Sequence, residues 1–285
     1  MRRGSLFSTL GGRLLVVLTL AAVPASGHAF ERKNPATVSL SPSAIMIDAD
    51  NRLTPADFAR SNGLSSAQLA ARFGATGIVR CGAAVGTGQL VGADNVVVTA
   101  AHVLFAAGGK LRHSDCSFSI HAGGRRQVVA LQLDKVVSGS RSPYAEPAVK
   151  DWAVAPLARP VLDARPYALA GSMSVPGTIV LSAGARGTHE LPSLQRCQAR
   201  QVTAAAGGLR EVAIDCDAEG GTSGAALLTE RGGFIGLYVG FRSTHPGTAG
   251  PFSMSHYNFG LTAEGALHAA ILDVARSGEQ RSASR

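Results

Sequence analysis

Three short segments of the chain carry the residue types that nucleophilic hydrolysis requires. His102 follows an apolar run of valines and small residues, Asp151 opens a second apolar run, and Ser223 lies in the glycine-rich turn at 220–224. A serine hydroxyl is a poor nucleophile unless an imidazole accepts its proton, and a buried carboxylate holds that imidazole in one tautomer. These residues in this order predict a catalytic triad of His102, Asp151 and Ser223.

The same turn could stabilise the oxyanion that forms when a serine attacks a carbonyl group. Glycine brings backbone N–H groups close to a substrate because it has no Cβ, and fixed N–H donors stabilise the developing negative charge. We expect the backbone N–H groups of Gly221 and Ser223 to be these donors. Each motif alone is weak, since a serine between glycines is an ordinary loop residue in most proteins. The hypothesis therefore depends on all three motifs together.

Short β-strands are expected to position these residues. From about residue 76 the sequence alternates short apolar runs with glycine, asparagine and aspartate, which is typical of strands and tight turns. Thirty-four of the 285 residues are glycine, above the usual ~7%, and evenly spaced short strands indicate a sandwich or barrel. Only 16% of residues are charged, below the usual ~25%, which argues against a disordered or coiled-coil chain.

Prolines and helix-like patterns indicate where the other segments of the chain begin and end. Three prolines within 156–168 indicate a linker between two halves. The pattern over 263–275 predicts a helix, and 276–285 is expected to be a flexible tail. Residues 30–75 are polar, contain prolines and have one helical stretch around 65–73. They form either a propeptide or an N-terminal arm.

The first 29 residues have the features of a secretory signal peptide. Arg2 and Arg3 precede an apolar run at 14–23, and small residues follow as far as Ala29. The run is too short to span a membrane, which takes about 20 apolar residues. We therefore expect a secreted or periplasmic protein without a membrane anchor.

Export to an oxidising compartment favours disulfide bonds among the four cysteines. Four cysteines allow three pairings, and we favour Cys81 with Cys116 and Cys197 with Cys216 because each pair then lies within one half of the chain. A zinc site is the alternative. The sequence has neither a Cys-x-x-Cys pair nor a His-Glu-x-x-His motif, so we expect no metal and no cofactor.

The formal net charge of +8 does not indicate a nucleic-acid partner. Three of the arginines lie in the predicted signal peptide, and the other basic residues are scattered without interleaved aromatic residues. We expect the partner to be a peptide or protein substrate, and the chain to act as a monomer.

The three motifs resemble those of the trypsin-like serine peptidases, which have the chymotrypsin fold. They are Thr-Ala-Ala-His at 99–102, Asp-x-Ala-Val at 151–154 and Gly-x-Ser-Gly at 221–224. The resemblance covers about residues 76–265. Within the family, the segment Ile-Gly-Leu-Tyr-Val-Gly at 235–240 is most similar to the bacterial glutamyl-endopeptidase-like branch.

The resemblance implies an all-β fold of two six-stranded antiparallel barrels with a C-terminal helix. His102 and Asp151 would lie on the first barrel and Ser223 on the second, with the site in the cleft between them. The implied peptidase domain covers 76–275, with its barrels at about 76–155 and 169–262.

The chain departs from the family pattern in its activation and specificity residues. Thr222 stands where animal digestive members carry an aspartate that pairs with the new N-terminus, so activation must work otherwise. Asp217, six residues before Ser223, has the spacing of the acid that binds Arg or Lys, although bacterial relatives also use such an aspartate structurally. Tyr238 replaces the histidine that binds the substrate carboxylate in glutamyl-specific relatives, and His245 lies nearby. The predicted substrate-binding residues are Asp217, Tyr238 and Gly240.

These observations favour an exported serine endopeptidase that works through an acyl-enzyme intermediate. Such an enzyme should lose activity in acid as its histidine becomes protonated. One alternative is a catalytically silent trypsin-fold binding protein, and another is an esterase that uses the same site. Labelling by a fluorophosphonate separates the first alternative from an enzyme, because it requires an activated serine.

Overall fold

The computed structural model describes residues 45–187 and 189–283. The predicted signal peptide at 1–29, and the first part of the predicted propeptide or arm at 30–44, lie outside the described residues. The described chain begins with a short strand and two helices, β1 (Met46–Ile47), α1 (Pro55–Ser61) and α2 (Ser66–Phe73).

Capping residues explain where both short helices begin. The side chain of Thr54 accepts a hydrogen bond from the Asp57 N–H at the start of α1. At the start of α2, Ser65 and Gln68 form a reciprocal capping box. Such caps satisfy N–H groups that the helix leaves unpaired and contribute about 1 kcal/mol each.

The first half of the β-structure is a seven-stranded antiparallel sheet. Its strands are β2 (Thr76–Cys81), β3 (Ala84–Leu90), β4 (Val96–Thr99), β5 (Cys116–Ala122), β6 (Arg125–Ala130), β7 (Val137–Ser138) and β8 (Ala153–Pro156). The order across the sheet is β6, β5, β2, β3, β4, β8, β7. The end of β4 lies beside the start of β8, with Thr99 opposite Ala153. The residues that follow β4 and those that precede β8 are therefore brought together at the same end of these two neighbouring strands. The one-turn helix α3 (Ala101–Leu104) begins there.

The second half is a closed six-stranded barrel. Its strands are β9 (Gly177–Ala183), β10 (Ser193–Ala206), β11 (Leu209–Ile214), β12 (Ala226–Leu228), β13 (Phe234–Ser243) and β15 (His256–Thr262), closed in the order β10, β11, β15, β13, β12, β9. The two-residue strand β14 (Ala249–Gly250) pairs in parallel with β1. The helix α4 (Gly265–Ala283) follows the barrel.

The predicted all-β fold is confirmed, with one difference in the first half. Six strands closed into a barrel were expected there, whereas the structure has seven strands in an open ladder. The edge strand β7 is only two residues long, and the other edge, β6, begins with the exposed residues Arg125 and Arg126. Short edge strands and edge charges both discourage further strand pairing.

The final helix is longer than the sequence predicts. The pattern predicts a helix over 263–275 and a flexible tail over 276–285, whereas α4 runs over Gly265–Ala283. Gly278 lies in the extended part of the helix. A Cβ at this position would lie 2.9 Å from the Asn95 side chain, so the helix packs closely on the loop before β4.

Both predicted disulfide bonds are present. Cys81 pairs with Cys116 and Cys197 pairs with Cys216. The first bond joins β2 to β5 at residues that face each other across the ladder. Within the described residues, no helix is both long and apolar enough to cross a membrane.

Candidate active site

His102 lies just beyond the end of β4, in the helical turn α3. Its neighbours Ala101, Val103 and Leu104 are buried, whereas the His102 side chain keeps 20% of its surface exposed. The buried neighbours anchor the turn in the core, and the imidazole remains accessible at the surface.

Asp151 holds this imidazole with both carboxylate oxygens. Its Oδ2 lies 2.7 Å from Nδ1 of His102, and its Oδ1 accepts the backbone N–H of His102 at 2.8 Å. The aspartate is only 7% exposed. A buried carboxylate at Nδ1 favours the tautomer with its proton on Nδ1, which leaves the Nε2 lone pair free to accept a proton.

The turn that carries Ser223 packs against the start of α3. The Thr87 N–H donates to the Ser223 carbonyl oxygen at 2.8 Å. At Gly224, where φ is +85°, a Cβ would collide with the Thr87 carbonyl and lie 2.9 Å from the Ala100 nitrogen. Ser223 is thereby brought next to the helical turn of His102. Among the described residues the Ser223 hydroxyl has no hydrogen-bond partner, and catalytic hydrogen bonds often form only when substrate is bound.

Two backbone N–H groups of this turn face away from the protein's own acceptors. The Gly220 carbonyl accepts from Gly187 N–H at 2.5 Å, and the Thr222 carbonyl accepts from Ala225 N–H at 2.8 Å. In a trans peptide the N–H points opposite to the C=O. The N–H groups of Gly221 and Ser223 consequently point away from those partners, and neither donates to an acceptor in the part of the chain that the structure describes.

Thr87 supports the turn from the first half of the chain. Its hydroxyl donates to the Gly221 carbonyl at 2.9 Å and accepts from Gly184 N–H at 3.1 Å. Apart from the glycines on either side of Thr87, no local sequence pattern indicates this role. The partnership of Gly187 with Gly220 likewise has no local signature, because the two residues lie on different loops.

Asp217 is bound to the N-terminal segment of the described chain. It is 1% exposed, and its two oxygens accept the backbone N–H groups of Ile47 and Asn51, each at 2.7 Å. Because both oxygens have partners within the chain, the geometry favours the structural role of this aspartate over that of a pocket acid.

The other predicted substrate-binding residues lie on β13. Tyr238 is 3% exposed and donates its hydroxyl to Asn258 Oδ1 at 2.9 Å, and burial raises the pKa of this phenol. Gly240 is half-buried at an irregularity of the strand. His245 lies in an exposed loop, where its Nδ1 contacts the Thr244 hydroxyl.

A pH-dependent stability is expected from Asp217. Burial raises the pKa of its carboxyl to about 6, although the hydrogen bonds from the Asn51 and Ile47 N–H groups act in the opposite direction. The folded protein therefore holds this proton more tightly than the unfolded chain does. Relative to Asp217→Asn, the wild type should lose on the order of 2 kcal/mol of unfolding free energy as the pH rises from about 4 to about 6.

Urea denaturation of both proteins between pH 4 and pH 8 measures this difference. A difference in unfolding free energy that stays constant across the range would show that Asp217 has an ordinary pKa.

The described residues contain no group of three or more histidine, cysteine or acidic side chains arranged to hold a metal ion. At the site itself, the groups that can do chemistry include the Ser223 hydroxyl, the His102–Asp151 pair and the backbone N–H groups of Gly221 and Ser223.

Comparison with known proteins identifies the fold. A family model described as a trypsin-like peptidase domain matches residues 86–237. The solved structure of a Glu endopeptidase in complex with MPD has a TM-score of 0.61 at 15% identity, covering 81% of this chain and 99% of that one. The protease Anisep from Arthrobacter nicotinovorans has a TM-score of 0.53 at 13% identity, covering 72% and 97%. A thermostable serine protease, AL20, from an extremophilic microorganism has a TM-score of 0.51 at 15% identity, covering 67% and 91%. No curated protein is similar enough to this chain to count as a match.

Proposed function

The chain belongs to the trypsin-like peptidase family, and on this premise we propose that it is an exported serine endopeptidase with Ser223, His102 and Asp151 as its triad. The observation that carries the proposal is the binding of both Asp151 oxygens to His102, next to a serine turn with two unpaired N–H groups. Two disulfide bonds support export to the periplasm or beyond, because such bonds persist in oxidising compartments.

In the first half-reaction, Ser223 Oγ attacks the carbonyl carbon of the scissile peptide bond, and its proton passes to Nε2 of His102. The N–H groups of Gly221 and Ser223 donate to the oxyanion that forms. Asp151 stabilises the positive charge that develops on the imidazole. The imidazolium then gives its proton to the leaving nitrogen, the C–N bond breaks, and an acyl ester remains on Ser223.

In the second half-reaction, water attacks the ester carbonyl while His102 Nε2 accepts a proton from it. The same two N–H groups bind the second oxyanion. Its collapse releases the carboxylic acid product and returns the proton to Ser223 Oγ. One water molecule is consumed for each bond cleaved, and every proton transfer passes through His102.

Fluorophosphonate labelling of the exported protein tests the proposal. An activated Ser223 displaces fluoride from phosphorus, so intact mass should rise by one phosphonyl group, and peptide mapping should assign that group to Ser223. A folded protein that takes no label would support the catalytically silent binding protein. A labelled protein that hydrolyses small esters but no member of a peptide library would be an esterase.

We also propose that residues 45–75 are a retained arm, and that any propeptide ends before Ile45. Ile45 and Ala218 exchange two backbone hydrogen bonds, at 2.8 and 3.0 Å, and Leu53 and Leu194 exchange another two, at 2.9 and 3.0 Å. Removing the arm would leave the buried carboxyl of Asp217 without its donors, which is costly. The intact mass of the labelled protein should therefore include residues 45–75.

The arm also reaches the loop that carries the oxyanion donors. Arg52 pairs with Glu219 at 2.7 Å, and Glu219 also pairs with Arg186 at 2.9 Å. Arg186 directly precedes Gly187, whose N–H holds the Gly220 carbonyl. We propose that this chain of contacts orders the turn in place of the ion pair that Thr222 cannot form.

Substrate contact beyond the triad is assigned to Gly240. Of the three predicted residues it alone is not buried, whereas Asp217 and Tyr238 have their polar side-chain atoms bonded within the chain. We therefore do not assign a preference for Arg or Lys at the cleaved bond to Asp217.

The Gly221→Ala variant is expected to lower kcat by about 10²–10³-fold. Gly221 has φ +89°, and a Cβ there would lie 2.5 Å from the Gly187 carbonyl oxygen. The peptide must rotate to relieve this contact, which turns its N–H away from the oxyanion. Steady-state kinetics on a cleaved library peptide measure the loss.

A matched control is Gly124→Ala. Gly124 also has a positive φ, +73°, but a Cβ there meets no atom within 4 Å. This variant should show the stability cost of the backbone strain and near-normal kcat. An equal loss of kcat in both variants would mean that strain, and not a lost donor, lowers the rate.

A further inference from the structure

Three exposed basic side chains lie on the two loops that flank His102. Lys110 and Arg112 follow α3, and Arg141 lies in the loop before Asp151. The two loops touch, since a Cβ at Gly109 would lie 2.9 Å from the Ser142 hydroxyl. Among side chains of residues 45–187 and 189–278, no carboxylate forms an ion pair with any of these three cations. This rim of the site therefore carries positive charge that the chain itself does not neutralise.

Arg112 is held in a fixed position beside the imidazole. Its Nε donates to the His102 carbonyl at 2.8 Å, and its Nη2 donates to the Tyr144 hydroxyl at 2.6 Å. The Tyr144 ring is 59% exposed, and its centroid lies 6.2 Å from that of the His102 imidazole. Arginine and tyrosine together form an exposed, oriented pair at the edge of the proposed active site.

The remaining donors of Arg112 fit a carboxylate. A guanidinium has five N–H groups, and the two bonds to His102 and Tyr144 leave about three available. A long side chain loses rotamer entropy when it is held in one geometry, and here that loss is already incurred before a ligand binds. An oriented guanidinium binds a carboxylate through two parallel N–H···O bonds, which a solvated lysine cannot do.

We propose that Arg112, oriented by Tyr144, determines specificity by binding an acidic side chain of the substrate close to the scissile bond. This inference rests on the proposed peptidase function. Arg112 and Tyr144 belong to the seven-stranded half, on the imidazole side of the site, whereas the predicted substrate-binding residues Asp217, Tyr238 and Gly240 belong to the barrel half. The acidic substrate residue that Arg112 binds is therefore distinct from the substrate residue that Asp217, Tyr238 and Gly240 would contact.

Paired peptides measure the effect directly. The starting point is a library peptide that is cleaved, and the two residues that form its scissile bond are kept constant. Each pair of peptides differs only in having Glu or Gln at one flanking position, before or after that bond. The wild type should prefer Glu about 10–100-fold in kcat/KM at one such position, as expected for a charge-assisted hydrogen bond. Arg112→Gln should bring that ratio close to one, and Arg112→Lys should restore part of it.

Two outcomes would overturn the inference. The first is a wild-type ratio close to one at every position. The second is an equal loss of kcat/KM for both peptides of a pair in Arg112→Gln, which would mean that Arg112 only holds the loops together. The control is Arg231→Gln, at an exposed turn of the barrel half, which should leave the ratio unchanged.

A binding measurement separates this inference from the peptidase proposal. Ser223→Ala protein, with and without Arg112→Gln, is titrated against fluorescently labelled library peptides, cleaved or not, that are paired to differ only in Glu against Gln, and binding is followed by anisotropy at low and high NaCl. Tighter, salt-sensitive binding of the Glu peptide that requires Arg112 supports the acidic subsite even if the wild type cleaves nothing. Cleavage without any Glu preference in rate or binding overturns the subsite and leaves the peptidase proposal standing.

Discussion

Replacing Ser223 with alanine is expected to lower kcat for peptide cleavage by about a million-fold. Alanine removes the oxygen that forms the acyl bond, while the His102–Asp151 pair and the backbone N–H groups at positions 221 and 223 remain. The residual rate is then that of direct water attack assisted by those N–H groups. Prolonged incubation of a library peptide at high enzyme concentration, followed by mass spectrometry, measures both the wild-type and the residual rate.

The fold should survive this substitution. The contact that holds Ser223 to β3 uses its backbone carbonyl, which accepts from Thr87 N–H, so it does not depend on the side chain. Circular dichroism and the midpoint of thermal unfolding should match the wild type. Ser114→Ala, at an exposed loop serine, is the control and should keep full activity. Full activity of Ser223→Ala would overturn the proposed mechanism.

The parts of the molecule that the sequence predicted well are those with local patterns. The β-rich fold follows from short apolar runs between turn residues, and the disulfide pairing follows from the placement of each pair within one half. His102 and Asp151 were identified by the short apolar runs beside them. The structure adds that β4 and β8 are neighbours, which makes the two residues adjacent in space.

The contacts that the sequence did not predict join residues far apart in the chain. The carboxyl of Asp217 accepts the N–H groups of Ile47 and Asn51. The sequence does not indicate which acceptor a backbone N–H group binds. Asp217 alone could therefore indicate either a pocket acid or a structural residue. The same is true of Gly187, whose N–H donates to the Gly220 carbonyl.

Two further differences between prediction and structure concern strand pairing at the sheet edges and the end of the last helix. Closure of the second barrel and the open ladder of the first half depend on which edge strands pair, and local strand patterns are the same in both cases. The tail after residue 275 has a serine- and arginine-rich composition that suggests fraying. In the structure Gly278, within this segment, lies close to the Asn95 side chain, and such a long-range contact has no signature in the sequence.

Asp151→Asn is expected to lower kcat by about 10⁴-fold while leaving the fold intact. The amide oxygen can still accept the backbone N–H of His102, as Oδ1 does now. The amide nitrogen then faces Nδ1, where Oδ2 now lies at 2.7 Å. An N–H donor at that position requires Nδ1 to be the acceptor, so the imidazole proton moves to Nε2. The base then has no lone pair for the Ser223 proton.

Comparison with Asp151→Ala separates the effect of the imidazole tautomer on kcat from the effect of losing the hydrogen bonds that anchor His102. Alanine removes both acceptors, so it should lower the unfolding temperature as well as kcat, whereas asparagine should lower kcat alone. Asp134→Asn, an exposed acid of the same half, should change neither. If asparagine retained most of the wild-type kcat, the carboxylate would serve only to anchor the turn, because the retained backbone hydrogen bond would be sufficient for activity. A large loss at an unchanged unfolding temperature would instead locate the effect in the imidazole, because the amide reverses the position of its proton and removes the negative charge that stabilises the imidazolium.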